Sequence, residues 1–202
     1  MSVLALASER LSNTETVRFS LAIQGTTFID PARTIQLLSA NGLLVRPDRM
    51  SSSFKAKVAG AVVALRLITI GTTSWMTDLI TGNWGIAPAE FGYEPNILFD
   101  SASGLGPVMM QLHEPRMVAP EEIRGRDANH IVASVPRPII DPVTAYTMTG
   151  DPVAVEVWTD RETGDLLRIK LTEPPSPEND EPATWVLNIS DHGKRATIER
   201  PV

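Results

Sequence analysis

Three histidines, His113, His130 and His192, are the residues best suited to proton transfer or metal binding. None sits at an i, i+4 spacing or in a short-spaced set with carboxylates. A metal centre is therefore not expected, and His130, lying in a strand pattern, reads as a half-buried structural side chain. The adjacent acids Glu121 and Glu122 point to opposite faces of an extended strand, so they cannot act as an acid/base pair on one substrate. No G-x-S-x-G elbow, P-loop or G-x-G-x-x-G turn occurs, and Ser101-Ala102-Ser103-Gly104 matches a nucleophile turn only superficially. Cysteine is absent from the 202 residues, which removes thiolate nucleophiles, disulfides, iron-sulfur clusters and cysteine-type zinc sites. Asn188-Ile189-Ser190 satisfies a glycosylation sequon, a pattern short enough to arise by chance. The expectation is a protein without catalysis, cofactor or metal.

What the side chains do favour is apolar contact. Residues 96–113 carry Ile97, Leu98, Phe99, Leu105, Val108, Met109, Met110 and Leu112, and four tryptophans stand at 75, 84, 158 and 185. A helix this apolar all round must be buried or must touch a non-protein apolar partner. One reading is a sheet packed on one or two helices. The other is a curved sheet that wraps short helices incompletely and leaves a cavity, for which the flexible thioether of methionine is a suitable lining.

The elements that would hold such a surface are short. Residues 2–12 place Leu4, Ala7, Ser8 and Leu11 on one helical face, and Asn13 would end the helix. Residues 15–24 alternate, with Val17, Phe19, Leu21 and Ile23 on one side and Arg18, Ser20 and Gln24 on the other, which predicts a half-buried strand. Further strands are expected at 34–46, 51–58, 61–70, covered on much of both sides, and 73–79, with a tight turn at 81–83 before Trp84. This succession implies an antiparallel meander. A helix is predicted from about 107 to 113, with Asp100 and Ser101 able to cap the segment, and a second from 141 to 146. Strands follow at 121–124, a turn at 125–127, then 130–135, 153–159, 166–172, 183–190 and 196–199, with a solvated proline-acidic loop at 173–182.

Composition sets the outer bounds. With 43% hydrophobic residues the chain can build a core, and its length fits one domain over 1–202. A net charge of -6 with no Lys/Arg-rich run argues against nucleic acid or an anionic membrane surface as the main partner. No apolar run approaches the ~20 residues that span a bilayer as a helix.

The order of several local phrases resembles the LppX, LprA, LprF and LprG group of bacterial lipid-binding lipoproteins. The phrases are the opening helix running into Val17-Arg18-Phe19-Ser20-Leu21, then Gly42-Leu43-Leu44-Val45-Arg46-Pro47-Asp48-Arg49, and Ile68-Thr69-Ile70-Gly71 leading to Trp75-Met76-Thr77-Asp78. They continue through Gly82-Asn83-Trp84, Leu105 to Leu112, Glu122-Ile123-Arg124-Gly125, Val155-Glu156-Val157-Trp158-Thr159-Asp160 and Thr163-Gly164-Asp165-Leu166-Leu167. Nearly the whole chain is covered.

The resemblance implies an α+β fold: a strongly curved antiparallel half-barrel sheet of about 10–11 strands around a few short helices, similar to LolA and LolB. It also implies a non-catalytic, monomeric carrier of acylated lipid or glycolipid at the bacterial cell envelope, extracytoplasmic and anchored through a removed N-terminal cysteine region. An envelope transporter or acceptor membrane would be its further partner. The expected cavity wall is Val17, Phe19, Leu21, Ile23, Leu43, Val45, Phe54, Val63, Leu65 and Leu67 from the sheet, with Ile97, Leu105, Val108, Met109 and Leu112 from the helical side. Trp75 and Trp84 would rim the mouth. A cavity wall and a plain core look alike in sequence, so a filled half-barrel serving as an envelope sensor, interaction module or lipoprotein chaperone is the competing expectation.

Overall fold

The computed structural model describes residues 2–29, 32–87, 97–98, 100, 102–175 and 181–202. Phe99, the capping role of Ser101 and the 176–180 part of the proline-acidic loop lie outside the described residues. The elements run α1 (Val3–Asn13), β1 (Thr16–Gln24), β2 (Ile35–Val45), β3 (Arg49–Val58), β4 (Ala61–Ile70), β5 (Thr73–Thr77) and β6 (Trp84–Ile86). There follow α2 (Leu105–Met110), β7 (His113–Met117), β8 (Glu121–Ile123), β9 (Arg126–Val135), α3 (Arg137–Ile140), β10 (Val153–Asp160), β11 (Leu166–Thr172) and β12 (Thr184–Ser190).

All of the strands join one antiparallel 12-stranded sheet, in the order β6-β5-β4-β3-β2-β1-β12-β11-β10-β9-β7, with β8 paired to β9. The two halves of the chain are each a meander, and they meet where β1 pairs β12, for instance Phe19 opposite Ile189. The short helices then cover one face of the curved sheet: Leu4, Ala7 and Leu11 of α1 and Leu105, Val108 and Met109 of α2 enter the same core as Val17, Phe19 and Val157. The two helices approach closely at Gly106, where a Cβ would stand 2.9 Å from Ser8 Oγ. This is the bent sheet over short helices that the resemblance implies.

Several local expectations are corrected. The helix expected at 107–113 begins two residues earlier, because Gly106-Pro107 fits the first turn, where no intrahelical N–H bond is needed. It ends at Met110, which is 53% exposed, so this helix is not apolar-buried all round. Asp100 accepts hydrogen bonds from the Ala102 and Ser103 N–H groups, closing a turn ahead of the helix rather than capping it. The following strand, β7, escapes the sequence reading because all its residues are exposed and no alternation marks it. The helix expected at 141–146 is displaced to α3, and Ala145 and Tyr146 adopt left-handed backbone (φ 52° and 58°) that ends any helix there. Arg124 and Gly125 form the expected hairpin turn, with φ of 53° and 78°, while Arg126 and Asp127 already belong to β9. β4 is covered on one side only, Val62 being 64% exposed. Residues 196–199 form no strand: the tail is held by Arg49 Nη1, which donates to the Ile198 carbonyl.

A charged cluster ties α1 to the β10–β11 turn. Arg10 reaches Asp165 at 3.2 Å, and Arg126 bridges Asp160 at 2.7 Å and Asp165 at 3.2 Å. Burial opposes ionisation of Asp165, but the hydrogen bond with Thr163, the charge of His192 and both arginines outweigh it and hold its carboxyl below the usual range. Asp160 is likewise held low against burial, by Thr163, Arg126 and Glu162 N–H. Burial pushes His192 the other way, below its ordinary value, against the attraction of Asp165.

Each of these shifts makes the unfolded chain the stronger proton binder in acid. The histidine contribution to stability is complete above about pH 6.5 and is lost as pH falls below it; the carboxylate contributions follow from about pH 4 downward. The melting temperature is therefore expected to fall steadily from pH 7 to pH 4. Asp165→Asn costs about 1–3 kcal/mol at pH 7 and flattens the limb below about pH 4, where Asp165 itself titrates, while the fall below pH 6.5 steepens because His192 loses the attraction that opposes its burial. Thermal unfolding scans across pH decide it, and a flat profile in the wild type would contradict the assignment.

Candidate functional site

The inner face of the sheet can be followed strand by strand from register and alternation. Leu21 stands opposite Ala40, Ala40 opposite Phe54 and Phe54 opposite Leu65. One level away, Phe19, Gly42, Ser52, Leu67 and Met76 form the adjoining row. Across the β1–β12 junction, Leu21 pairs with Leu187 and Ile23 with Trp185, and Leu187 in turn faces Ile169. The inner face is concave and the helices fill only part of it.

What remains is a cavity of about 270 Å³. Its wall is built by Phe19, Leu21, Leu37, Ala40, Met50, Phe54, Ala56, Leu65, Leu67, Met76, Ile169, Leu171, Trp185 and Leu187 from the sheet, Leu98 and Leu105 from the helical side, and Ile29 and Val143 to Ala145 with Thr147 from connections. The few polar groups of this wall are occupied internally. Thr144 Oγ1 donates to the Ile140 carbonyl at 3.0 Å, Thr147 Oγ1 to the Thr144 carbonyl at 2.7 Å, and Trp185 Nε1 to Thr27 Oγ1 at 3.0 Å. An apolar space whose wall donors are already paired favours hydrocarbon over water.

Of the residues expected from sequence, Phe19, Leu21, Phe54, Leu65, Leu67 and Leu105 line this cavity. Val17, Val108, Met109 and Leu112 lie in the adjoining packed core, and Ile23 and Ile97 pack against it. Val63 shares the inner face, opposite Ala56, beyond the lining. Leu43 and Val45 are corrected: they pair with Arg18 and Thr16 on the outer face, because Ala40 and Leu44 take the inward positions of β2. Trp75 and Trp84 also lie on the outer face and not in the lining. The Arg200 guanidinium lies 5.5 Å over the Trp75 ring, and that of Arg66 lies 5.1 Å over Trp84.

The sequence reading missed Ile29, Leu37, Ala40, Met50, Ala56, Met76 and Leu98 as well as two whole stretches of the wall. Ile169, Leu171, Trp185 and Leu187 carry the same period-two signal as β1 and could have been found by extending it to the last strands. Val143, Thr144, Ala145 and Thr147 carry no periodic signal and become wall only because the turn after α3 is folded against the opening.

The histidines take no part in the cavity. His130 is buried on the outer side between Glu121 and Glu156, each 2.9 Å from one ring nitrogen, and stacks on Trp158 at 4.3 Å. Glu156 in turn holds Lys170 at 2.7 Å and Trp158 Nε1 donates to Glu121, so this cluster fastens β8 against the sheet. Among the described residues no group of three or more His, Asp or Glu side chains is arranged to hold a metal ion.

An open antiparallel half-barrel closed over short helices, with an apolar cavity between the two layers, defines a class of hydrophobic-cavity proteins. Within that class the chain belongs to the LppX_LprAFG lipoprotein family, whose model matches residues 1–198. Among solved structures it is similar to LprF from Mycobacterium bovis, at 19% identity and a TM-score of 0.77, covering 98% of this chain and 95% of that one. It is also similar to the lipoprotein LppX from Mycobacterium tuberculosis, at 12% identity and a TM-score of 0.68, covering 98% of each chain. A search of curated protein sequences gave no match.

Proposed function

We propose that the protein is a non-catalytic carrier that seats the acyl part of a lipid or glycolipid in the cavity, on the extracytoplasmic side of a bacterial cell envelope. The observation that carries the reading is the cavity itself, with an apolar wall whose few hydroxyls and indole N–H are already hydrogen-bonded. Each methylene moved from water into it contributes about 0.8 kcal/mol, so affinity comes from chain length and needs no specific polar contact. At about 270 Å³ the cavity lies just below the ~300–1,000 Å³ usual for small-molecule pockets, a size for an acyl segment with the remainder of the lipid outside the mouth. The carrier acts as a monomer and exchanges its cargo with a membrane or an envelope transporter.

Native mass spectrometry of protein purified from a lipid-containing host tests this. The expected spectrum is a monomer with near-stoichiometric acylated lipid, identified after extraction. A clean lipid-free mass that takes up no added lipid would overturn the carrier reading.

A further inference from the structure

The cavity has a definite mouth, because Ile29 and Ala145 line it and are also exposed to solvent. The strand ladders place this mouth at the end of the sheet marked by Gln24, the turn from Val58 to Ala61, and Thr184. β5 runs toward the same end, since Thr73 pairs with Ile70 while Met76 pairs with Leu67, and so the turn after it projects there too. At this end apolar side chains stand in water on three separate elements: Val62, on the outer face at the start of β4, is 64% exposed, Ile80 in the turn after β5 94%, and Tyr146 after α3 74%.

We propose that these residues form a collar that docks the mouth onto a lipid bilayer, an inference that rests on the carrier reading. The Tyr146 loop is the most telling part. Ala145 and Tyr146 are consecutive non-glycine residues in left-handed backbone, which L side chains rarely adopt. The Tyr146 N–H donates to the Asp141 carbonyl at 2.8 Å and Thr147 Oγ1 to the Thr144 carbonyl at 2.7 Å, so the loop is fastened in this shape. Its effect is to hold an aromatic ring in water beside the opening of an apolar cavity. A tyrosine with an apolar ring and a polar tip suits the boundary between acyl chains and head groups.

The distribution of the collar argues for a bilayer over a rigid partner. Its apolar groups stand on separate elements at the end of the sheet where the cavity opens, an arrangement that a fluid interface can cover without matched shape. Against an overall charge of -6, a local pair of cations stands here: Lys55 and Lys57 are exposed on β3 leading to this end, and among the described residues neither is ion-paired. Among the described residues, Asp78 accepts from the Ile80 and Thr81 N–H groups and Glu181 from Thr26 Oγ1. Two ammonium groups are thus available to lipid phosphates.

The test compares the unaltered protein with the triple variant Val62→Ser/Ile80→Ser/Tyr146→Ser, none of which lines the cavity. Flotation with vesicles of phosphatidylcholine and phosphatidylglycerol reads docking, and uptake of a fluorescent fatty acid from water reads the cavity. Flotation is expected to fall about tenfold or more, with fatty-acid uptake unchanged. Equal flotation of both proteins, or no flotation of the unaltered protein, overturns the collar. Collar-dependent flotation without any fatty-acid uptake supports the collar and overturns the carrier reading instead. Should the triple variant fail to fold, Ile80→Ser alone is expected to lower flotation about threefold, and no change in it overturns the proposal.

Discussion

Leu65→Trp is expected to lower affinity for a fluorescent fatty acid by at least tenfold while the protein stays folded. Leu65 pairs with Phe54 on the inner face and borders the cavity, so a larger ring at this position is directed into the space the acyl chain would fill. The arithmetic is lenient: displacing two methylenes, at about 0.8 kcal/mol each, already exceeds the ~1.4 kcal/mol that separates affinities tenfold. Stability is affected much less. Overpacking costs about 1–3 kcal/mol in a filled core, and a site that borders empty volume sits at the low end of that range. A fatty-acid titration with a melting curve reads both effects. Unchanged affinity in a folded variant would show that the cavity is not the seat of the ligand.

Much of the sheet was readable because its strands are half-buried. β1 alternates cleanly, β4 and β11 carry the expected bounds, and the turns at Gly60, Gly71 and Gly125 punctuate the run. What escaped has physical causes. β7 is an exposed edge strand and so has no buried face to impose a period. The tail at 196–199 has extended-type residues, but its partners are Arg49 and an outer-face hollow rather than a neighbouring strand. Alternation cannot distinguish a chain that joins a ladder from one that lies across it.

The site was half legible, and β2 shows why the rest was not. Its register shifts between Leu37 and Ser39, so Leu37 and Ala40, three residues apart, both face inward. Such a bulge reverses parity along the strand, and a reader counting by twos places Leu43 and Val45 on the wrong side. The residue that would have corrected the count, inward at the level of Phe19, is Gly42, which has no side chain to mark a face. The wall after α3 depends instead on tertiary folding and leaves no local trace.

Gly42 also supplies the largest stability effect expected. A Cβ at this position would overlap the Ser51 carbonyl oxygen and stand 2.9 Å from both Phe19 Cε1 and the Ser52 Cα. Ser51 and Ser52 are backbone neighbours in β3, and β2 is held by ladders on both sides, to β1 and to β3, so neither strand can withdraw without breaking pairs. Only the Phe19 ring can give way, and its one free direction is into the cavity it lines. Gly42→Val is therefore expected to cost about 3 kcal/mol or more, beyond ordinary overpacking, because backbone rather than a flexible side chain is in the way. For a chain of this length that lowers the melting temperature by roughly 6–12 °C. The displaced ring also predicts weaker fatty-acid uptake by whatever fraction still folds. Adding Phe19→Leu removes one of the three obstructions, so the double variant should recover fatty-acid uptake more fully than stability, since the clashes with the Ser51 and Ser52 backbone remain. A melting temperature within about 2 °C of wild type for Gly42→Val would mean that β2 and β3 can part at this level, and that the inner row from Phe19 to Met76 is not the rigid wall described.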